Sequence, residues 1–81
     1  MPVTVRLFAR LRELVGTDEI LRPVPDPATV ADVWHALTAE WPALSPYAAS
    51  LSCAVNTQNA RMTTPVSDGD EIAFLPPVSG G

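Results

Sequence analysis

Only one stretch of this chain carries a helical hydrophobic stripe of several turns, and that restricts the fold more than any other feature. Val30, Val33, Trp34, Leu37 and Trp41 fall at i, i+3, i+4, i+7 and i+11, one face of a single helix. Thr29 precedes the stripe as an N-cap, Asp32 lies in the first turn where negative charge suits the helix dipole, and Pro42 ends it. A lone amphipathic helix must bury that face against another element, and the remaining sequence offers strands. Val3, Val5 and Leu7 alternate with Thr4, Arg6 and Phe8, which predicts a strand over residues 3–9. Residues 19–24 read as a second strand, closed by Pro23, Pro25 and Pro27. Leu51, Cys53 and Val55 alternate as a third, and residues 71–75 form the last, with Ile72 and Phe74 facing inward. A short further strand is expected near Arg61 and Met62, after Asn59 and Ala60. Leu11, Leu14 and Val15 before Gly16 predict a short helical turn, residues 42–50 a loop, and Ser67-Asp68-Gly69-Asp70 a turn.

This order predicts an α+β domain: a mixed sheet of four or five strands with one main helix across one face, the layout of a ubiquitin-like β-grasp. With 81 residues the chain supports one modest core and leaves little room for an enclosed active site. The division expected is a β-grasp domain over residues 1–75 and an extended, flexible C-terminal tail over residues 76–81.

Charge and cysteine content exclude several classes of function. The net charge of −4 and five basic residues, all arginine and scattered along the chain, provide no basic stripe for nucleic acid. No side-chain amine is present to accept an isopeptide bond. The single cysteine, Cys53, forms no internal disulfide, and no apolar run approaches the ~20 residues of a membrane span, so the expectation is a cytoplasmic chain without a membrane partner.

The chain closes on Phe74-Leu75-Pro76-Pro77-Val78-Ser79-Gly80-Gly81. Pro76 and Pro77 lack N–H donors, so the ladder cannot continue past Leu75, and the two glycines make a terminus thin enough to thread a narrow channel. Fully extended, the arm reaches roughly 20 Å at about 3.3 Å per residue. The plainer reading is an untidy chain end.

The segments Phe8-Ala9-Arg10-Leu11-Arg12-Glu13-Leu14-Val15-Gly16, Ala54-Val55-Asn56, Asp68-Gly69-Asp70-Glu71-Ile72-Ala73-Phe74 and Pro76-Pro77-Val78-Ser79-Gly80-Gly81 together resemble the small, sulfur-carrying subunit of molybdopterin synthase. The similarity runs over nearly the whole chain and is most specific over residues 68–81. The resemblance implies a carrier with no catalytic residues of its own and no bound cofactor or metal. Its terminal carboxylate, here that of Gly81, is adenylated by a ubiquitin-activating-enzyme-like adenylyltransferase and converted to a thiocarboxylate with sulfur from a donor protein. The carrier then docks on a larger catalytic subunit, where the sulfur passes to a pyranopterin precursor of molybdopterin. Chemistry agrees: the terminal carboxylate is an anion at neutral pH and a poor acyl electrophile, so it needs activation by partners that hold the reacting atoms.

A docking surface is also expected. Phe8 and Leu75 have strand parity opposite to their buried neighbours, and with Val78 they form an apolar anchor at the root of the arm, with Arg12 placed to pair with a carboxylate across an interface. His35, beside the helix stripe, reads as solvent-facing, and Cys53 as a small buried hydrophobe. Asp68, Asp70 and Glu71 read as turn chemistry, and Arg10, Arg12 and Glu13 as a solvated face. Two other functions share the Gly-Gly ending or the fold: a carrier for another pathway, such as thiamine synthesis, or a ubiquitin-like protein modifier; and a non-covalent β-grasp interaction module.

Overall fold

In the computed structural model, which describes residues 1–77, the order of elements is β1 (Pro2–Leu7), α1 (Ala9–Val15), β2 (Glu19–Pro23), β3 (Ala28–Thr29), α2 (Val30–Glu40), a 3-10 helix (Pro42–Ser50), β4 (Ser52–Val55), β5 (Gln58–Ala60), β6 (Pro65–Val66) and β7 (Glu71–Leu75). Five strands form one mixed sheet in the order β2-β1-β7-β4-β5, and β3 pairs with β6 in a separate two-stranded ladder. The last strand is thus the middle one. It runs parallel to β1, with Val5 opposite Ile72 and Leu7 opposite Phe74, and antiparallel to β4, with Cys53 opposite Phe74. The α+β reading, the single main helix and the mixed sheet all hold.

The core follows strand and helix periodicity. Val3, Val5 and Leu7 from β1, Ile72 and Phe74 from β7, and Val30, Val33, Trp34 and Leu37 from α2 are all buried. Trp34 and Phe74 meet with ring centroids 5.0 Å apart at 54°, so the helix is pinned to the central strand by an aromatic contact. Leu11 of α1 and Leu44 of the 3-10 helix close the ends of this core. Trp41, on the same stripe, sits at the C-cap and is only half-buried, its ring facing the Arg22 guanidinium at 5.3 Å while Arg22 also pairs with Glu40.

The start of α2 leaves none of its first three N–H groups unsatisfied. Val30 N–H donates to the Thr64 carbonyl at 2.9 Å and Ala31 N–H to the Met62 carbonyl at 2.9 Å. Thr29 and Asp32 form a reciprocal capping box, the Asp32 carboxylate accepting from the Thr29 N–H at 2.8 Å. That end of the helix is therefore filled by the protein itself and presents no anion site.

Four boundaries differ from the sequence reading. The first strand stops at Leu7, because Ala9 takes φ +51° and turns the chain into α1. Residues 42–50 are a 3-10 helix instead of a loop, entered through Pro42 and carrying Leu44 into the core. The short strand expected near Arg61 and Met62 lies earlier, at Gln58–Ala60. The β3–β6 ladder has two-residue strands, too short to show alternation.

Candidate functional site

Parallel pairing in the middle of the sheet builds the candidate site. Because Leu7 lies opposite Phe74, the residues that follow them, Phe8 just past the end of β1 and Leu75 at the last position of β7, come side by side at the end of the sheet. Phe8 is extended, at φ −125° and ψ 153°, and both side chains are exposed among otherwise buried apolar neighbours, at 39% and 36%. Phe8 is exposed as expected, though it is the N-cap of α1 and not a strand residue. Leu75 is exposed by strand parity, its partner on β4 being the exposed Ser52.

These two residues form one wall of a groove of about 470 Å³, lined also by Ala9, Arg10, Tyr47, Pro76 and Pro77. The groove is mostly apolar and lies where the chain leaves β7. Ala9 holds its left-handed backbone at the junction of Phe8 and α1, a conformation that costs a non-glycine residue about 1 kcal/mol or more. Tyr47 arrives from the 3-10 helix and is half-buried. The Arg10 guanidinium bonds the Glu13 carboxylate at 3.0 Å; that carboxylate first, and the Tyr47 phenol second, hold its pKa above the ordinary value, so it is a permanent cation at the groove. On the other side of Phe8, Arg6 lies 6.0 Å over the ring and 3.8 Å from the Glu71 carboxylate.

Of the site residues read from sequence, the structure brings Phe8, Leu75, Pro76 and Pro77 together. Arg12 does not line this groove: it is exposed on α1, where its carbonyl accepts from the Gly16 N–H at 2.8 Å. Val78, Ser79, Gly80 and Gly81 lie outside the described residues. Ala9, Arg10 and Tyr47 were not read as site residues. One signal was available for Tyr47, the chain's single tyrosine, set among the small residues of positions 42–50.

The remaining candidates settle into structural roles. Cys53 is buried, donates to the Ala60 carbonyl at 3.3 Å, and has its thiol pKa pushed up by burial, the opposite of an activated nucleophile. His35 is exposed. Asp70 accepts from the Ser67 N–H at 2.7 Å and from the Asn56 amide at 2.9 Å, fixing the turn before β7. Among the described residues no group of three or more His, Cys, Asp or Glu side chains converges as a metal site, and no helix is long and apolar enough to cross a membrane.

Known proteins share this architecture at full length. The molybdopterin synthase sulfur carrier subunit of Escherichia coli K12 is 40% identical, the alignment covering 98% of this chain and 99% of that protein. The crystal structure of SAMP1, a small archaeal modifier protein of Haloferax volcanii, superposes with a TM-score of 0.89 at 32% identity, covering all of both chains. A complex of subunits 1 and 2 of molybdopterin-converting factor from Helicobacter pylori 26695 matches with a TM-score of 0.68 at 27% identity, again over the whole of both chains. The profile described as the ThiS family matches residues 5–81, which include every groove residue and the Gly-Gly ending, and the chain belongs to that family.

Proposed function

We propose that this protein is a sulfur carrier, acting as the small subunit of molybdopterin synthase. Its cargo site is the Gly81 carboxylate. The oxygen of that carboxylate attacks the α-phosphorus of ATP on a ubiquitin-activating-enzyme-like adenylyltransferase, pyrophosphate leaves, and an acyl adenylate forms. Hydrosulfide, released by a donor protein, then attacks the acyl carbon and displaces AMP, a C–S bond replacing the C–O bond to the phosphate, and the resulting terminal thiocarboxylate delivers sulfur to a pyranopterin precursor on the larger catalytic subunit. The carrier contributes presentation and docking; the partners contribute the reacting groups. Its place of action is the cytoplasm, in keeping with a lone, buried cysteine.

The observation that carries this reading is the exit of the chain. The central strand β7 ends at Leu75 beside the exposed Phe8, and Pro76 and Pro77 direct the chain away from the ladder toward Gly80 and Gly81. An apolar groove at that exit is what a carrier needs if a partner is to grip the body while the arm enters an active site.

Intact-mass measurement tests it. Incubation of the purified chain with ATP, the adenylyltransferase and a sulfide source is expected to replace one oxygen by sulfur at the C-terminus, and deletion of Gly81 to abolish the change. An unchanged mass for the intact chain under conditions that thiocarboxylate the Escherichia coli relative would refute the proposal. The likeness to SAMP1 favours a second reading, a protein modifier, for which the same activated terminus would be captured by lysines of other proteins. Adducts of the chain on many proteins in a lysate, resolved by mass spectrometry, distinguish that outcome.

A further inference from the structure

We infer that Arg10 sets partner specificity at the root of the arm by exchanging its internal carboxylate, Glu13, for a carboxylate of the docking protein. The inference rests on the carrier reading and names the chemistry of the surface that the carrier's groove fits: an apolar side chain flanked by an aspartate or glutamate.

Among the described residues lining the groove, Arg10 is the only charged one, and it shares that lining with Phe8 and Tyr47. Aromatic side chains around an arginine are the composition that concentrates binding energy at protein interfaces. Its bond to Glu13 is an i,i+3 pair with both side chains more than half exposed, 58% and 62%, so it is screened by water and readily exchanged. The replacement pair would form beside a filled apolar groove, where water is excluded and the same charges attract more strongly. Arg6 is engaged with Glu71 and the Phe8 ring and does not line the groove, whereas Arg10, ion-paired within its own helix, lines the cavity. Charge complementarity also selects the partner. On a molecule of net charge −4, an acidic partner surface is repelled overall and attracted locally at a cation such as Arg10, which favours the register that brings its carboxylate to the groove.

The test measures affinity of the intact carrier for its copurified larger subunit by calorimetry, at low and at physiological salt. Arg10→Glu is expected to weaken binding by about tenfold or more and to flatten its salt dependence, with Arg10→Lys retaining most of the affinity. Arg61→Glu, the same charge change at an exposed residue outside the groove, is expected to leave affinity within about twofold. Replacing an interfacial acidic residue of the partner by arginine should then restore binding to Arg10→Glu and not to the wild type. Equal losses from Arg10→Glu and Arg61→Glu would show a bulk charge effect and overturn the inference, as would no loss from Arg10→Glu. Thiocarboxylation of the wild-type chain, read by intact mass, reports separately on the carrier reading.

Discussion

At the scale of single residues, three non-glycine positions among the described residues hold positive φ, and they divide by purpose. Asn56 at +51° and Thr57 at +69° form the two-residue link between β4 and β5, a geometry that needs left-handed backbone at both central positions. Asn56 suits it and is held further: its side-chain oxygen accepts from the Glu71 N–H at 2.9 Å and its amide donates to the Asp70 carboxylate. Thr57 is β-branched and strained there, and its hydroxyl reaches only the Asn56 carbonyl. Thr57→Gly is therefore expected to raise stability by about 0.5–1 kcal/mol, measured as a shift of the urea midpoint at constant slope. Ala9, the third, has no hairpin to make; its strain lies at the groove, where it sets Phe8 and Arg10 on the same cavity. Cys53 supplies a pH dependence. Burial raises its thiol pKa above the ordinary 9.0, so the unfolded chain loses that proton first, and stability is full below pH 9 and falls as pH rises beyond it. Urea titrations of wild type and Cys53→Ala across that range should differ in slope on the alkaline side alone.

At the scale of elements, legibility tracked periodicity. The α2 stripe and the alternation in β1, β4 and β7 were visible because each buries one face against the same core, and that demand leaves its mark at every second or every third to fourth residue. Phe8 and Leu75 were found by the same parity. Elements without a repeated demand were not visible: β3 and β6 are two residues each, and the 3-10 helix commits only Leu44 to the core. Tyr47 and Arg10 join the groove through packing between segments distant in sequence, which no local pattern encodes. The element most exposed to test is α2. Trp34→Ala removes the ring that meets Phe74 and is expected to cost about 3–5 kcal/mol, enough to unfold much of so small a domain; thermal melting reads this directly. Thr29→Ala breaks the capping box at a cost of about 1 kcal/mol.

At the scale of the whole molecule, the proposed docking residues Phe8 and Leu75 lie outside the residues that form the core. Phe8→Asp and Leu75→Asp replace exposed side chains outside the core, so each should leave the melting temperature within a few degrees while weakening the partner complex by about tenfold or more. Calorimetry beside a thermal scan checks both halves, and a large loss of stability without loss of affinity would reverse the assignment of these residues. The arrangement also has a mechanical reading. The chain runs on toward its Gly-Gly ending from the strand at the keel of the sheet, flanked by β1 on one side and β4 on the other. Because β1 and β7 point the same way, traction between the two ends of the protein loads their hydrogen bonds in shear, all at once, instead of unzipping them singly. A pull applied past Leu75 is borne by the central strand of the sheet and not by one of its edges.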